Sequence, residues 1–208
     1  MNPINRYVQI VLVETSHPGN IGSVARAMKN MGLSNLALIN PKTFPHQEAT
    51  ALAGNAVDVL DNARVFDSIN EAIKDSKVIY ATSARDRTIE WPTLNVKEAV
   101  EEINQLVCED IEVSILFGRE DRGLTNEELQ LANKHLIIPA HPEYPVLNIA
   151  MSTQVICYEL FQAAQDIPAK KWQDFPEYTA EELNNLIDHF NETVSSLDLV
   201  DTDNPKQI

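Results

Sequence analysis

Three short segments hold residue types and spacings suited to chemistry. The first is Asn20-Ile21-Gly22-Ser23-Val24-Ala25-Arg26. Its glycine permits a tight turn, and a helix opening there attracts an anion. Arg26 falls one helical turn in, on the side that reaches the same anion. The second follows an apolar run and reads Gly118-Arg119-Glu120-Asp121-Arg122-Gly123-Leu124. The third runs from Ile137-Ile138-Pro139 through Pro145-Val146-Leu147-Asn148-Ile149-Ala150. A fourth stretch, Thr82-Ser83-Ala84-Arg85-Asp86-Arg87-Thr88, has the same small-residue and arginine character. Small residues at a strand end let a flat ligand approach the backbone, and arginines just beyond hold phosphates. The same spacings also suit plain strand–turn–helix joints with ion-pairing surface arginines.

Several chemistries are not written here. No Gly-x-Gly-x-x-Gly or Gly-Lys-Ser/Thr loop follows a strand, so a dinucleotide or P-loop site is not expected. No Gly-x-Ser-x-Gly elbow occurs. The histidines (His17, His46, His135, His141, His189) lack metal-ligand spacing, and Cys108 and Cys157 have no CxxC partner, so no metal is expected.

The elements that must position these segments alternate. Strands are predicted at Tyr7–Glu14, Leu36–Ile39, Val65-Phe66, Lys77–Thr82, Glu112–Phe117 and His135–Pro139. Helices are predicted at Ile21–Met31, Glu48–Ala56, Ile69–Asp75, Lys97–Val107, from Thr125 to about Asn133, and at Asn148–Ala164. Such alternation implies an α/β fold, a mostly parallel sheet flanked by helices. Asn148–Ala164 is apolar on most faces and must be covered by more protein. Residues 1–165 read as one domain. Asp166–Tyr178 reads as a linker, and the capping box Thr179-Ala180-Glu181-Glu182 opens a helical C-terminal extension within 166–208.

The 208 residues carry 16 Lys and Arg against 31 Asp and Glu, a net charge of −15. Globally that opposes nucleic-acid binding. Residues 1–150 hold 13 basic and 20 acidic side chains (−7), while residues 151–208 hold 3 and 11 (−8). The last quarter thus carries half the excess. Five of the seven arginines, Arg26, Arg85, Arg87, Arg119 and Arg122, sit beside turns. No apolar run is long enough for a membrane span, and Met1–Arg6 lacks the apolar core of a signal peptide. With two unpaired cysteines, this predicts a cytoplasmic protein.

Taken together and in order, the three motifs resemble the SpoU branch of the SPOUT superfamily, S-adenosylmethionine-dependent RNA 2′-O-ribose methyltransferases. Val11–His17, Thr82–Thr88, Leu124–Leu129 and Pro142-Glu143-Tyr144 are similar to the bacterial subgroup that methylates nucleotide 32 of the tRNA anticodon loop. The resemblance implies a deep C-terminal trefoil knot, an exception to the no-knot rule. It implies an S-adenosylmethionine site at Thr82, Ser83, Ala84, Gly118, Ile138, Pro145, Val146 and Leu147. Arg26 is the implied catalytic group, oriented by Asn20 unless Asn20 merely caps its helix. Arg26, Arg87 and Arg119 are expected on RNA phosphate. A homodimer through the helices Asn148–Ala164 and Ile21–Met31 is implied as well. Val146 stands where the family often has serine. An rRNA methyltransferase, a base methyltransferase or a catalytically silent RNA-binding module are the alternatives.

Overall fold

Strands that are largely apolar and buried on both faces belong inside a parallel sheet, and two adjoining strands near its middle fit that description apart from the paired Gln9 and Ser114. In the computed structural model, which describes residues 3–83, 91–164 and 180–197, these are β1 (Val8–Val13) and β6 (Val113–Phe117), buried along their whole lengths. They pair with each other in register Val8↔Val113 to Leu12↔Phe117. Around them stand β2 (Leu36–Ile39), β3 (Arg64–Phe66), β4 (Val78–Thr82), β5 (Thr93–Asn95) and β7 (Lys134–Ile137). The order is β3-β2-β1-β6-β4-β7-β5, with every pair parallel. All carboxyl ends therefore share one edge.

The helices are α1 (Pro3–Tyr7), α2 (Pro18–Asn30), α3 (Gln47–Ala53), α4 (Val57–Asp61), α5 (Ile69–Ile73), α6 (Val96–Cys108), α7 (Asn126–Leu129) and α8 (Ile149–Ala163). Alternation along β1 divides the core. Val8, Ile10 and Leu12 join the larger cluster with residues of α2, α6 and α8. Val11 and Val13 join the smaller one with residues of α5 and α7.

Some boundaries differ from expectation. The helix placed at Ile21–Met31 begins at Pro18, whose missing N–H costs nothing in a first turn. It ends before Gly32 at φ 75°, a conformation glycine accepts freely. The α-helix from Thr125 stops at Leu129, not about Asn133. Asn133 is pinned to β4: its N–H donates to the Ile79 carbonyl, and its side-chain oxygen accepts from the Ile79 N–H. The chain must turn there to begin β7. The short elements α1, α4 and β5 lie outside the expected set.

The chain divides into two compact units, Met1–Asp166 and Ile167–Ile208. In the second, α9 (Ala180–Ser196) leaves Leu186, Ile187 and Phe190 exposed along one stripe. The expected linker Asp166–Tyr178 and the cap Thr179 lie outside the described residues.

Candidate active site

Ligands in parallel α/β sheets bind beyond the strands' carboxyl ends, where the winding reverses. Here the chain winds outward from β1 through β2 and β3, then crosses to β4. Beyond β1, β6, β4 and β7 lies a cavity of about 350 Å³. Phe117, Gly118, Leu124, Leu136, Ile138 and Leu147 give it apolar walls, and the Thr82-Ser83 and Arg119–Gly123 segments give it polar edges. That size and mixture suit a small molecule with a flat ring. Among the described residues, no three His, Cys, Asp or Glu are grouped to hold a metal.

The turn after β6 is closed by two backbone bonds, Arg119 N–H to the Gly123 carbonyl (3.3 Å) and Gly123 N–H to the Arg119 carbonyl (2.9 Å). Its limbs are so close that a Cβ on Gly118 would lie 2.2 Å from Gly123 C and Leu124 N. Glu120 leaves this turn for the loop after β1. Its carboxylate accepts from the Ser16 N–H (3.0 Å) and hydroxyl (2.9 Å), the His17 N–H (3.3 Å) and the Asn20 amide (3.0 Å). Burial works to raise its pKa. The Asn20 amide and the backbone N–H groups outweigh that and hold it at about 2.

Asn20 joins all three motifs. Its amide donates to Glu120, and its oxygen accepts from the Asn148 amide (3.2 Å). Asn148 Oδ1 in turn accepts from the Ala150 N–H and caps α8. The capping role open to Asn20 does not hold, because α2 begins at Pro18 with His17 as its N-cap. Nor is its side chain spent on Arg26.

Of the expected cofactor residues, Thr82, Ser83, Gly118, Ile138, Pro145, Val146 and Leu147 line this cavity. Ala84 and Arg87 lie outside the described residues. Arg26 does not line the cavity. The earlier start of α2 puts it more than two turns in rather than one; it is exposed and enters no ion pair among the described residues. Arg119 does not present itself to phosphate either. Its side chain is 8% exposed and gripped by Glu14 and Glu128, which raise its pKa further. The exposed arginine of the turn is Arg122, at 64%.

Sequence reasoning missed His17, Leu136 and Ser152 on the wall. Ser152 is four residues beyond Asn148, one helical turn, and that spacing would have found it.

The SpoU rRNA Methylase family model matches residues 7–158. A tRNA (cytidine/uridine/adenosine-2′-O-)-methyltransferase, TrmJ of Pseudomonas aeruginosa, is 44% identical over 211 residues, covering 97% of this chain and 82% of that protein. A probable methylase family protein from Haemophilus influenzae superposes with a TM-score of 0.72 at 40% identity, over 94% of this chain and 82% of that one. TrmJ from Z. mobilis superposes with a TM-score of 0.70 at 31% identity, over 94% and 83%.

Proposed function

The chain belongs to the SpoU rRNA Methylase family, and from that membership we propose that it methylates a ribose 2′-hydroxyl of tRNA, using S-adenosylmethionine. The target we infer is C or U at position 32 of the anticodon loop. One observation carries the reading: Asn20, Glu120 and Asn148, one from each motif, meet through hydrogen bonds at the rim of a ligand-sized cavity.

When bound, the cofactor supplies an electrophilic methyl group on a sulfonium. The chain's own part is placement. Backbone groups at Thr82, Ser83 and Gly118 would read the edges of adenine and ribose. Ile138 and Leu147 would cover the ring, and Pro145 and Val146 would close the mouth. A ribose hydroxyl is far from ionised at neutral pH, so it must be held in line and relieved of its proton. Arg26 holds the neighbouring phosphate and stabilises charge developing on O2′. A guanidinium does not give up its proton and is no base. Glu120, saturated with donors and ionised down to about pH 2, is a poor one. The proton goes to a phosphate oxygen or to water.

Arg26 stands away from the cavity of its own chain. This supports a homodimer in which Arg26 of the partner subunit completes the site. α2 packs on α8, and α8 exposes Met151, Val155 and Tyr158 at helical spacing beside it. With the family resemblance, the return of 138–148 to the cavity supports a trefoil knot, and we read 166–208 as a helical extension. A tRNA substrate implies a cytoplasmic setting.

The test is transfer of label from radioactive S-adenosylmethionine to unmodified tRNA, followed by separation of nucleosides. Label in 2′-O-methylcytidine or 2′-O-methyluridine is expected. Arg26→Ala is expected to lower the rate about 10²- to 10³-fold, the scale for losing a preorganised charge donor, with cofactor affinity retained. Label in a methylated base, or no cofactor binding at all, would refute the reading.

A further inference from the structure

The turn that walls the cavity is held by more than its backbone. Glu14, just past β1, has φ 47°, a conformation glutamate seldom adopts. Its carboxylate accepts from Arg119 Nε at 2.8 Å and lies 2.6 Å from Nη2. On the other side, Arg119 Nη1 and Nη2 donate to the two oxygens of Glu128, at 2.8 and 2.9 Å. Glu128 is itself committed, because it accepts from the Thr125 N–H and completes the capping box that starts α7. One guanidinium thereby ties the end of β1, the turn after β6 and the first turn of α7. All three of its nitrogens are used.

A lysine cannot replace this fork, since an ammonium has neither the planar spread nor the reach to serve two carboxylates at once. Nor is such a cluster a cheap source of stability. The guanidinium and the Glu128 carboxylate largely leave water for it while Glu14 stays 38% exposed, and apolar side chains of similar volume often do as well. Its location suggests another use. Arg119 is the second residue of a turn whose limbs touch at Gly118, so a rotation at Arg119 would move the wall. Glu120, the next residue, would carry that movement to Asn20.

We propose that Arg119 is the positioning residue of the cofactor site, its guanidinium clamped between Glu14 and Glu128 so that the Gly118–Gly123 turn is preset to receive S-adenosylmethionine. This rests on reading the cavity as the S-adenosylmethionine site. Arg119 acts through the turn, and its effect belongs to cofactor affinity, whereas that of Arg26 belongs to the chemical step.

The experiment is calorimetric titration of the full chain with S-adenosylmethionine, for wild type, Arg119→Lys, Arg119→Gln, Glu14→Gln and Glu128→Gln. Circular dichroism selects a temperature at which each is folded. Glu128→Gln keeps the capping box, because glutamine also serves there, and removes the charge and one of the two oxygens that accept from Arg119. Arg119→Gln is expected to raise Kd about ten- to a hundredfold, the scale of a misplaced binding element, with Arg119→Lys between it and wild type. Adding Glu128→Gln to Arg119→Gln is expected to cost almost nothing more, since one interaction is lost only once. In steady state, the loss should enter the KM for the cofactor, leaving kcat within about threefold at saturation. A folded Arg119→Gln chain that binds with wild-type affinity and shows only a lower Tm overturns the proposal. A wild-type chain that binds no S-adenosylmethionine overturns the underlying reading and this one with it.

Discussion

Glu120 shows how one side chain can tie two loops of a site together, the turn after β6 and the loop after β1. Its carboxyl group, ordinarily at 4.5, is held at about 2: burial opposes the shift, and the Asn20, Ser16 and His17 donors outweigh it. A depressed carboxylate contributes stability that is fully present above the unfolded value and disappears as pH falls through the folded one. Glu120→Gln is therefore expected to be less stable than wild type at pH 7. The gap should close as pH falls from about 4.5 toward 2, followed by urea denaturation at each pH. A gap unchanged at pH 3 would refute this. The sequence made Glu120 visible but not its partners. Ser16, His17 and Asn20 lie 100 or more residues away and bind it through backbone N–H groups, a hydroxyl and an amide. An acidic residue beside arginines reads naturally as their ion-pair partner. Arg119 misled for a related reason, since only the fold brings Glu14 and Glu128 to its two sides.

At the scale of elements, α2 and α3 meet where Gly22 leaves no room. A Cβ there would lie 2.0 Å from the Ala49 carbonyl oxygen, and backbone cannot step aside as a side chain can. Gly19, one turn earlier, would meet only Glu48 Oε1 and Leu52 Cδ1, at 2.8 Å, the movable ends of two side chains. Gly22→Ala is expected to cost about 1–3 kcal/mol, the usual penalty for overpacking, and Gly19→Ala clearly less. Thermal melts decide it, and equal losses would refute the distinction. Legibility followed length and burial. β1 and β6 could be read because both faces are mostly apolar, and α6 because it is long and buries one stripe through Ala99, Val100, Ile103 and Val107. β5 could not: it is three residues, Thr93 to Asn95, and its pairing with β7 makes it a strand. The cavity residues after β4, β6 and β7 were legible as motifs, while the wall contributed by Leu136 depends on how the elements converge.

Across the whole molecule, seven parallel strands bring every connecting loop of one kind to the same edge. The path by which the last strands reach that edge has no local signal, so only resemblance suggested a knot. A second copy is argued from Arg26, which stands away from this chain's own cavity, and from the apolar face on α8. Wild type is expected to be a dimer by light scattering. Met151→Glu with Tyr158→Glu should yield a monomer that still binds S-adenosylmethionine but transfers no methyl group. A monomer with full activity, or a charged variant that stays dimeric, would overturn that arrangement. The two arginines also differ in a way that reaches the test tube. Arg119 is sealed between carboxylates, and Arg26 stands in solvent. Mobile ions shorten the reach of an exposed charge from about 30 Å at 0.01 M to about 8 Å at 0.15 M, and scarcely touch a sealed one. For a polyanionic substrate and a protein of net charge −15, this gives the two ligands different ionic-strength laws. RNA attachment is expected to fade as salt rises while cofactor attachment holds, so titrations at two buffer concentrations should separate the two binding events.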